Sequence, residues 1–282
     1  MTEFASHFVE IDGIRTHYLD EGDGPVVVLL HSGEFGGAAE ISWEHNIPAL
    51  AEHFRVVAPD WLGFGRTDKL YDFGNARDRV WGHMRRFFEV MGIAQADFIG
   101  NSMGGSNLAR IAADPPVIFP IRSVILASGG GFTPETEERK TLLSYDGTPE
   151  AMAALLKAML HDPKWGDDAD YVARRQEMAL MPGAWECAAA ARFKSPAAAA
   201  KSSGFGAADV TPYENIAFPT MIIAGAEDRL REKGYAKILG DRIPDCELHV
   251  LENCGHCPNI EESEFFNEHV IAFLKRIHAA SL

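Results

Sequence analysis

The chain has 282 residues, of which 46% are hydrophobic, 24% are charged and 10% are aromatic, an ordinary globular composition that excludes a disordered or collagen-like protein. Twenty-six lysines and arginines against 41 acidic residues give a formal net charge of −15. Because such a charge repels phosphate backbones and anionic lipid surfaces, we expect no nucleic acid and no membrane among the partners.

The first half of the chain alternates β-rich or apolar runs with segments of helical spacing. Continuous apolar runs are typical of strands buried on both faces, and their alternation with helices indicates a mostly parallel sheet between two helical layers. We therefore predict an α/β fold for this half. The predicted strands lie at 8–12, 14–20, 26–31, 54–60, 96–102 and 121–128, and the predicted helices at 77–91 and 103–113.

The composition changes after Gly131, because no buried-strand pattern returns before Pro219. Helical spacing dominates instead, at 149–160, 168–181 and 184–192, which predicts a helical cap insertion. Two further strands at 219–225 and 247–253 and a closing amphipathic helix at 265–277 complete an eight-stranded sheet. The expected organisation is an α/β core at 1–133, a cap at 134–214 and the second part of the core at 215–282.

The cysteines and the N-terminal residues favour a reducing compartment. Four cysteines are too few for the disulfide framework of a chain this size, and no basic stretch precedes an apolar run near Met1, so we expect a cytoplasmic protein. Cys254 and Cys257 also fit a dithiol redox motif or half of a zinc site. Their late position and the lack of a second ligand pair at zinc spacing argue against both, so we expect no cofactor and no metal.

The motif G-N-S-M-G at 100–104 follows a predicted strand and opens a predicted helix. This is the context of a nucleophile elbow, in which a sharp turn exposes the serine hydroxyl and leaves room only for glycine-sized neighbours. We predict Ser102 as the nucleophile. A glycine-rich turn without chemistry is the alternative.

A serine nucleophile needs a base and an acid that orients the base. In the order typical of this arrangement, the acid follows a late strand and the histidine follows the last strand. Asp228 and His256 occupy these positions, and Glu227 is the adjacent rival for the acid. Taken singly, each could be an ordinary surface loop residue, but three residues in the right order favour a catalytic triad.

The glycine-rich loop at 31–37 ends a buried strand, and its backbone N–H groups can point into a site unobstructed. We predict the amides of Gly33 and Met103 as the oxyanion hole, with the amide of Glu34 as an alternative. His31 is interpreted as a structural histidine that bonds this loop.

Five motifs together resemble the α/β-hydrolase superfamily over essentially the whole chain: HSGEFGG, DWLGFGRTD, GNSMGG, GAED and CGH. Within it, GNSMGG and the segment 42–69 resemble the meta-cleavage-product hydrolases. Those enzymes break a carbon–carbon bond in 2-hydroxy-6-oxo-hexa-2,4-dienoates from aromatic degradation, giving a 2-hydroxypentadienoate and a carboxylic acid. The resemblance implies a serine-dependent hydrolase with a small-molecule substrate.

The resemblance also implies substrate-binding roles for Asn101 and for an arginine on a cap helix, which the sequence places at Arg175 or, one residue away, at Arg174. A dienoate carboxylate needs such a cation in a chain this acidic. The sequence departs from the usual pattern of this family at two positions. Ser32 stands where the family usually has glycine, and Cys257 stands where it usually has tryptophan directly after the histidine. A carboxylic-ester or lactone hydrolase, and a non-enzymatic small-molecule receptor, therefore stay as alternatives. The oligomeric state is open, with a homodimer as the assembly to test.

Overall fold

The structure is a computed structural model that describes residues 4–72, 75–190 and 205–280. Eight strands form one sheet in the order β1-β2-β4-β3-β5-β6-β7-β8. β2 runs antiparallel to β1 and β4, and all other neighbours are parallel, which confirms the predicted mostly parallel sheet. The strands are β1 (Ser6–Ile11), β2 (Ile14–Glu21), β3 (Val26–Leu30), β4 (Arg55–Pro59), β5 (Ala96–Asn101), β6 (Ile121–Ala127), β7 (Thr220–Gly225) and β8 (Cys246–Leu251).

Helices cover both faces of the sheet, and five more lie in the described part of the connection between β6 and β7. The core helices are α1 (Ala39–Ser42), α2 (Ile47–Ala51), α3 (Ala76–Val90), α4 (Met103–Ala113), α10 (Tyr235–Gly240), α11 (Pro258–Glu261) and α12 (Ser263–Ala280). The helices between β6 and β7, which we call the cap, are α5 (Glu137–Leu143), α6 (Pro149–Met159), α7 (Lys164–Asp167), α8 (Ala169–Ala179) and α9 (Ala184–Ala190).

The apolar run of β3 shows why the sheet is buried on both sides. Val28 and Leu30 belong to one hydrophobic cluster, which includes Phe88 of α3. Val27 and Leu29 point to the opposite face, into a cluster that α12 completes with Phe266. Because side chains alternate along a strand, a strand covered on both faces must be apolar at every position, as the sequence predicted.

The cap packs on the core through a third apolar cluster. Phe35, from the loop after β3, lies in this cluster with Leu155 and Tyr171 of the cap and with Ile260 of α11. The aromatic rings of Phe35 and Tyr145 have centroids 4.9 Å apart. The loop after β3 is therefore enclosed between the sheet and the cap.

Some elements differ from their predictions. In the described part of the chain, α1, α2, α5, α7, α10 and α11 have only four to seven residues, and no pattern predicted them. Helices this short offer too few turns for hydrophobic periodicity to appear. The end of the predicted helix at 184–192 and part of the predicted cap at 134–214 lie outside the described residues. No described helix is long and apolar enough to cross a membrane.

Candidate active site

Ser102 lies at the sharp turn between β5 and α4, where the sequence placed the elbow. Its backbone angles are φ 52° and ψ −110°, in a region that residues other than glycine rarely adopt. The turn is held by a hydrogen bond from the Ser102 amide to the Ala127 carbonyl, 2.9 Å, and by one from the Ser106 amide to the Ser102 carbonyl, 2.8 Å. The strained residue is thus fixed between β6 and the first turn of α4.

The glycines of the elbow are required by close backbone contacts. A Cβ atom on Gly100 would lie 2.5 Å from the amide nitrogen of Gly105. A Cβ atom on Gly104 would lie 2.2 Å from the carbonyl oxygen of Leu30 in β3. Both distances are far below van der Waals contact, so β5, α4 and β3 approach this closely only because the side chains are absent.

From this packing we predict how a side chain at Gly104 changes the stability of the fold. We expect Gly104→Ala to lower the free energy of unfolding by about 1–3 kcal/mol, because the new methyl group overlaps the backbone of β3. Gly82→Ala is the matched control, since a Cβ atom there meets nothing within 4 Å, and we expect it to be neutral or to stabilise α3 by about 0.5–1 kcal/mol. Urea unfolding would measure both, and equal effects would contradict the packing argument.

Ser102, His256 and Asp228 form one continuous line of hydrogen bonds. His256 Nε2 is 2.7 Å from Ser102 Oγ, and His256 Nδ1 is 2.7 Å from Asp228 Oδ2. His256 and Asp228 are both buried. An imidazole that carries its proton on Nδ1 donates a hydrogen bond to the carboxylate. Its Nε2 atom is then free to accept the serine proton.

The surroundings of Asp228 keep its carboxylate charged. Burial acts to raise the pKa of Asp228, but His256 and Arg231 outweigh it and hold the pKa below its usual value. The other carboxylate oxygen, Oδ1, accepts a hydrogen bond from the Leu230 amide at 2.9 Å. Arg231 is itself fixed by donation to the Ser128 carbonyl at 2.8 Å. Arg231 is a residue that the sequence analysis missed, because nothing in its spacing distinguishes it.

The rival acid Glu227 has a different set of partners. Its Oε2 accepts a hydrogen bond from the Cys254 amide at 3.0 Å, and its own amide donates to the Cys254 carbonyl at 3.0 Å. Glu261 supports the same loop, because its Oε1 accepts from the Gly255 amide at 3.0 Å. The two glutamates therefore brace the loop that carries His256, while Asp228 contacts the imidazole.

The loop after β3 lies against both the elbow and the cap. A Cβ atom on Gly33 would lie 2.4 Å from the Met103 sulfur, so the loop touches the residue that follows Ser102. Gly36 has φ +80°, and a Cβ atom there would lie 2.4 Å from the Arg175 carbonyl oxygen of α8. The two predicted oxyanion donors, the amides of Gly33 and Met103, thus belong to neighbouring residues.

His31 uses both ring nitrogens to hold the backbone of this region. Its Nδ1 is 2.6 Å from the Ser32 carbonyl oxygen, and its Nε2 accepts a hydrogen bond from the Trp61 amide at 3.0 Å. Burial lowers the pKa of His31, which favours the neutral ring. These bonds support its structural interpretation.

Asn101 is wholly buried beneath the elbow. Its Nδ2 donates to the Ala127 carbonyl at 3.1 Å and to the His256 carbonyl at 3.4 Å. Its Oδ1 accepts from the Cys257 thiol at 3.7 Å. The side chain for which the resemblance implies a substrate-binding role therefore links the elbow to the histidine loop, with its polar atoms bonded to the protein.

The two adjacent arginines of α8 point in different directions, as residues about 100° apart on a helix must. Arg174 reaches outward and makes hydrogen bonds of 2.8 and 3.1 Å to Glu44. Arg175 is wholly buried, forms an ion pair with Glu34, and donates from Nη2 to the Tyr171 hydroxyl at 2.9 Å. The inward cation is thus Arg175, and an internal carboxylate already pairs with it.

Histidine, cysteine and acidic side chains are the groups that bind metal ions in proteins. No group of three or more histidine, cysteine, aspartate or glutamate side chains in the described ranges is arranged to hold a metal ion. All four cysteines are free, and Cys254 and Cys257 are buried.

Comparisons with known proteins show a family for the chain and several relatives that it resembles. Residues 11–269 match the model of the alpha/beta hydrolase family. The chain is 30% identical to a 2-hydroxy-6-oxo-6-(2'-aminophenyl)hexa-2,4-dienoic acid hydrolase of Metapseudomonas resinovorans, over 97% of this chain and 92% of that protein. It is 32% identical to a 2-hydroxymuconate semialdehyde hydrolase of Pseudomonas sp. strain CF600, over 96% and 94%. The structure resembles a meta-cleavage product hydrolase from Pseudomonas fluorescens IP01, with TM-score 0.83 and 28% identity over 96% and 97%.

Proposed function

The chain belongs to the alpha/beta hydrolase family, and from this premise we propose that it is a serine hydrolase that cleaves the carbon–carbon bond of a 2-hydroxy-6-oxo-hexa-2,4-dienoate. The observation that carries the proposal is the unbroken hydrogen-bonded line from Asp228 through His256 to Ser102. The similarity to hydrolases named for such dienoates, over nearly the full length of the chain, supports the substrate class.

In the first step of the proposed reaction, Ser102 Oγ attacks the ketone carbon of the substrate, C6, while His256 Nε2 takes the serine proton. The ketone oxygen becomes an oxyanion, which the amides of Gly33 and Met103 would bind, with the Glu34 amide as the alternative donor. Asp228 stabilises the imidazolium that forms, because its carboxylate stays charged beside Nδ1.

Before the bond breaks, the dienol must tautomerise: the proton of the 2-hydroxyl group moves to C5, which leaves a 2-keto group conjugated with a C3–C4 double bond. In the second step, the bond between C5 and C6 breaks, and its electron pair moves through C4 and C3 to the 2-keto oxygen. His256 gives its proton to this oxygen, so a 2-hydroxypenta-2,4-dienoate leaves and an acyl group remains on Ser102. A water molecule then attacks the acyl group with His256 as base, which releases the carboxylic acid and restores the serine. The overall reaction consumes one water molecule for each carbon–carbon bond that is broken.

We propose Arg175 as the cation for the carboxylate of the dienoate, because it is the arginine of the pair that faces inward. Its ion pair with Glu34 must then open or be shared. Asn101 acts in this proposal through the histidine loop, to which its side chain is bonded.

A carboxylic-ester or lactone hydrolase is the second candidate, and one observation favours it. Arg175 is neutralised by Glu34, so the site contains a charge-balanced pair in place of a free cation. A substrate with no carboxylate would leave this pair undisturbed.

A substrate panel tests the two candidates. We expect the purified protein to consume a 2-hydroxy-6-oxo-hexa-2,4-dienoate, followed by the loss of dienoate absorbance, with a higher kcat/KM than for 4-nitrophenyl esters or simple lactones. Ser102→Ala is the blank for spontaneous decay. If the protein hydrolyses the esters or lactones but does not cleave the dienoate, the second candidate is the correct one. A protein that binds ligands yet is not labelled on Ser102 by an organophosphonate would be a receptor.

The division into core residues 1–133 and 215–282 and cap residues 134–214 is also part of the proposal. The return of the chain to the sheet at β7 supports it. Free buried cysteines are typical of a reducing compartment, which supports a cytoplasmic location. Light scattering on the purified protein would show whether it forms the proposed homodimer.

A further inference from the structure

Glu34 and Arg175 form an ion pair deep between the core and the cap. The side chain of Arg175 is 0% exposed and that of Glu34 is 3% exposed. Burial acts to raise the pKa of Glu34, but Arg175 and a hydrogen bond from Ser32 outweigh it and keep the carboxylate charged. Because a lone charge is costly at this depth, each of the two groups needs the other.

This pair joins the loop that carries a predicted oxyanion donor to the helix that carries the cap arginine. Glu34 directly follows Gly33, and the loop backbone at Gly36 touches the Arg175 carbonyl oxygen. The thiol of Cys257, the residue after His256, is close enough that the charges of Glu34 and Arg175 both act on its pKa. The pair therefore lies in the same buried region as the Ser102–His256–Asp228 line.

The charge balance of this region limits what can bind beside Arg175. Two of its nitrogens, Nε and Nη2, lie within 3.3 and 2.9 Å of the Tyr171 hydroxyl, and Nη1 donates to Glu34. A substrate carboxylate added to this group would place two negative charges against one positive charge, away from water. It would have to displace Glu34 from Arg175 to bind there.

We propose that Glu34 is a specificity-determining residue: it holds Arg175 in a neutral pair that an anionic substrate must open and an uncharged substrate leaves intact. The proposal rests on the proposed function in one respect, that the substrate pocket adjoins Arg175. It predicts that the charge of Glu34 lowers the affinity for any substrate carboxylate at Arg175, that of the dienoate included, and that this effect depends on the charge of one side chain. Specificity of this kind is a difference between two affinities, so it is measured as a ratio.

The first test uses Glu34→Gln, which keeps the shape of the side chain and removes its charge. The substrates are 4-nitrophenyl butyrate and the 4-nitrophenyl monoesters of succinate, glutarate and adipate, which carry a terminal carboxylate at increasing reach. We expect the ratio of kcat/KM for the best anionic ester to that for the butyrate to rise by about tenfold or more in the variant. An unchanged ratio for all three monoesters would overturn the proposal.

Glu44→Gln is the matched control. Glu44 pairs with the neighbouring Arg174 in a partly exposed position, so its replacement removes one negative charge that faces the same helix, α8. We expect the Glu44→Gln variant to have the same ratio of kcat/KM, anionic ester to butyrate, as the unmodified protein. If Glu44→Gln changes the ratio as much as Glu34→Gln, the effect comes from the net charge of the protein and the proposal is wrong. In the double variant Glu34→Gln with Arg175→Met, the gain for the anionic esters should disappear.

The second test needs no turnover, and it therefore separates this proposal from the proposed function. Glu34→Ala leaves Arg175 without its partner and opens space beside it. We expect sodium acetate to raise the melting temperature of this variant more than sodium chloride of equal ionic strength, and to have no such effect on the unmodified protein. Stabilisation by acetate would support the proposal even if no dienoate is cleaved. Equal effects of acetate and chloride would overturn it, whatever the enzyme hydrolyses.

Discussion

Ser102→Ala and His256→Ala are each expected to lower kcat by about four to six orders of magnitude. The serine supplies the attacking oxygen, and the imidazole, 2.7 Å away, is the group that takes its proton. Because the two act as one unit, removal of either leaves only substrate binding and oxyanion stabilisation, and removal of both should cost little more than removal of one. The measurement is the rate of single-turnover hydrolysis of the best substrate from the panel.

The fold must survive for this loss to be interpreted as chemistry. Circular dichroism and the melting temperature of both variants should stay close to those of the unmodified protein. Ser144→Ala, which removes an exposed hydroxyl that donates to the Thr141 carbonyl, serves as the control serine. A decrease of less than about tenfold in either variant would disprove the assigned roles.

Asp228→Asn is expected to lower kcat by about three to four orders of magnitude while the fold is preserved. In the unmodified protein, the carboxylate accepts the Nδ1 proton and leaves Nε2 to accept from Ser102. An amide at position 228 can donate to Nδ1 instead, which moves the imidazole proton to Nε2 and leaves the serine without a base.

Glu227→Gln is the comparison that makes this test specific. It removes an adjacent carboxyl charge whose oxygen accepts from the Cys254 amide, and the amide oxygen of glutamine can keep that bond. We therefore expect its kcat to fall by less than about tenfold. The reverse ranking of the two variants would identify Glu227 as the residue that orients His256.

The strands, the long helices and the elbow could be predicted from the sequence, because their signals are local. The apolar run of β3 is buried on both faces, so every residue in it must be hydrophobic. The glycines around Ser102 are required by backbone contacts, so they appear at fixed spacing. The chain order of Ser102, Asp228 and His256 also carries information, because in this fold the ends of parallel strands meet at one edge.

The choice between neighbouring residues was decided only by the tertiary structure. Sequence spacing left Asp228 beside Glu227 and Arg175 beside Arg174, and adjacent residues share nearly the same local signals. What separates them is the direction of each side chain, which depends on the packing of the loop against β8 and of α8 against the core. That packing directs Asp228 to His256 and Glu227 to the backbone of Cys254.

The ion pair between Glu34 and Arg175 shows the same limit most clearly. The resemblance to the meta-cleavage-product hydrolases implied a cation on a cap helix, at Arg175 or Arg174, and its role in binding a substrate carboxylate stays a prediction. The sequence contained no sign that the loop after β3 supplies the opposing charge, because the two residues are 141 positions apart. Local composition and periodicity determine which segments become strands and helices, whereas the partner of a buried charge is chosen by the contact between distant segments, which only the folded chain creates.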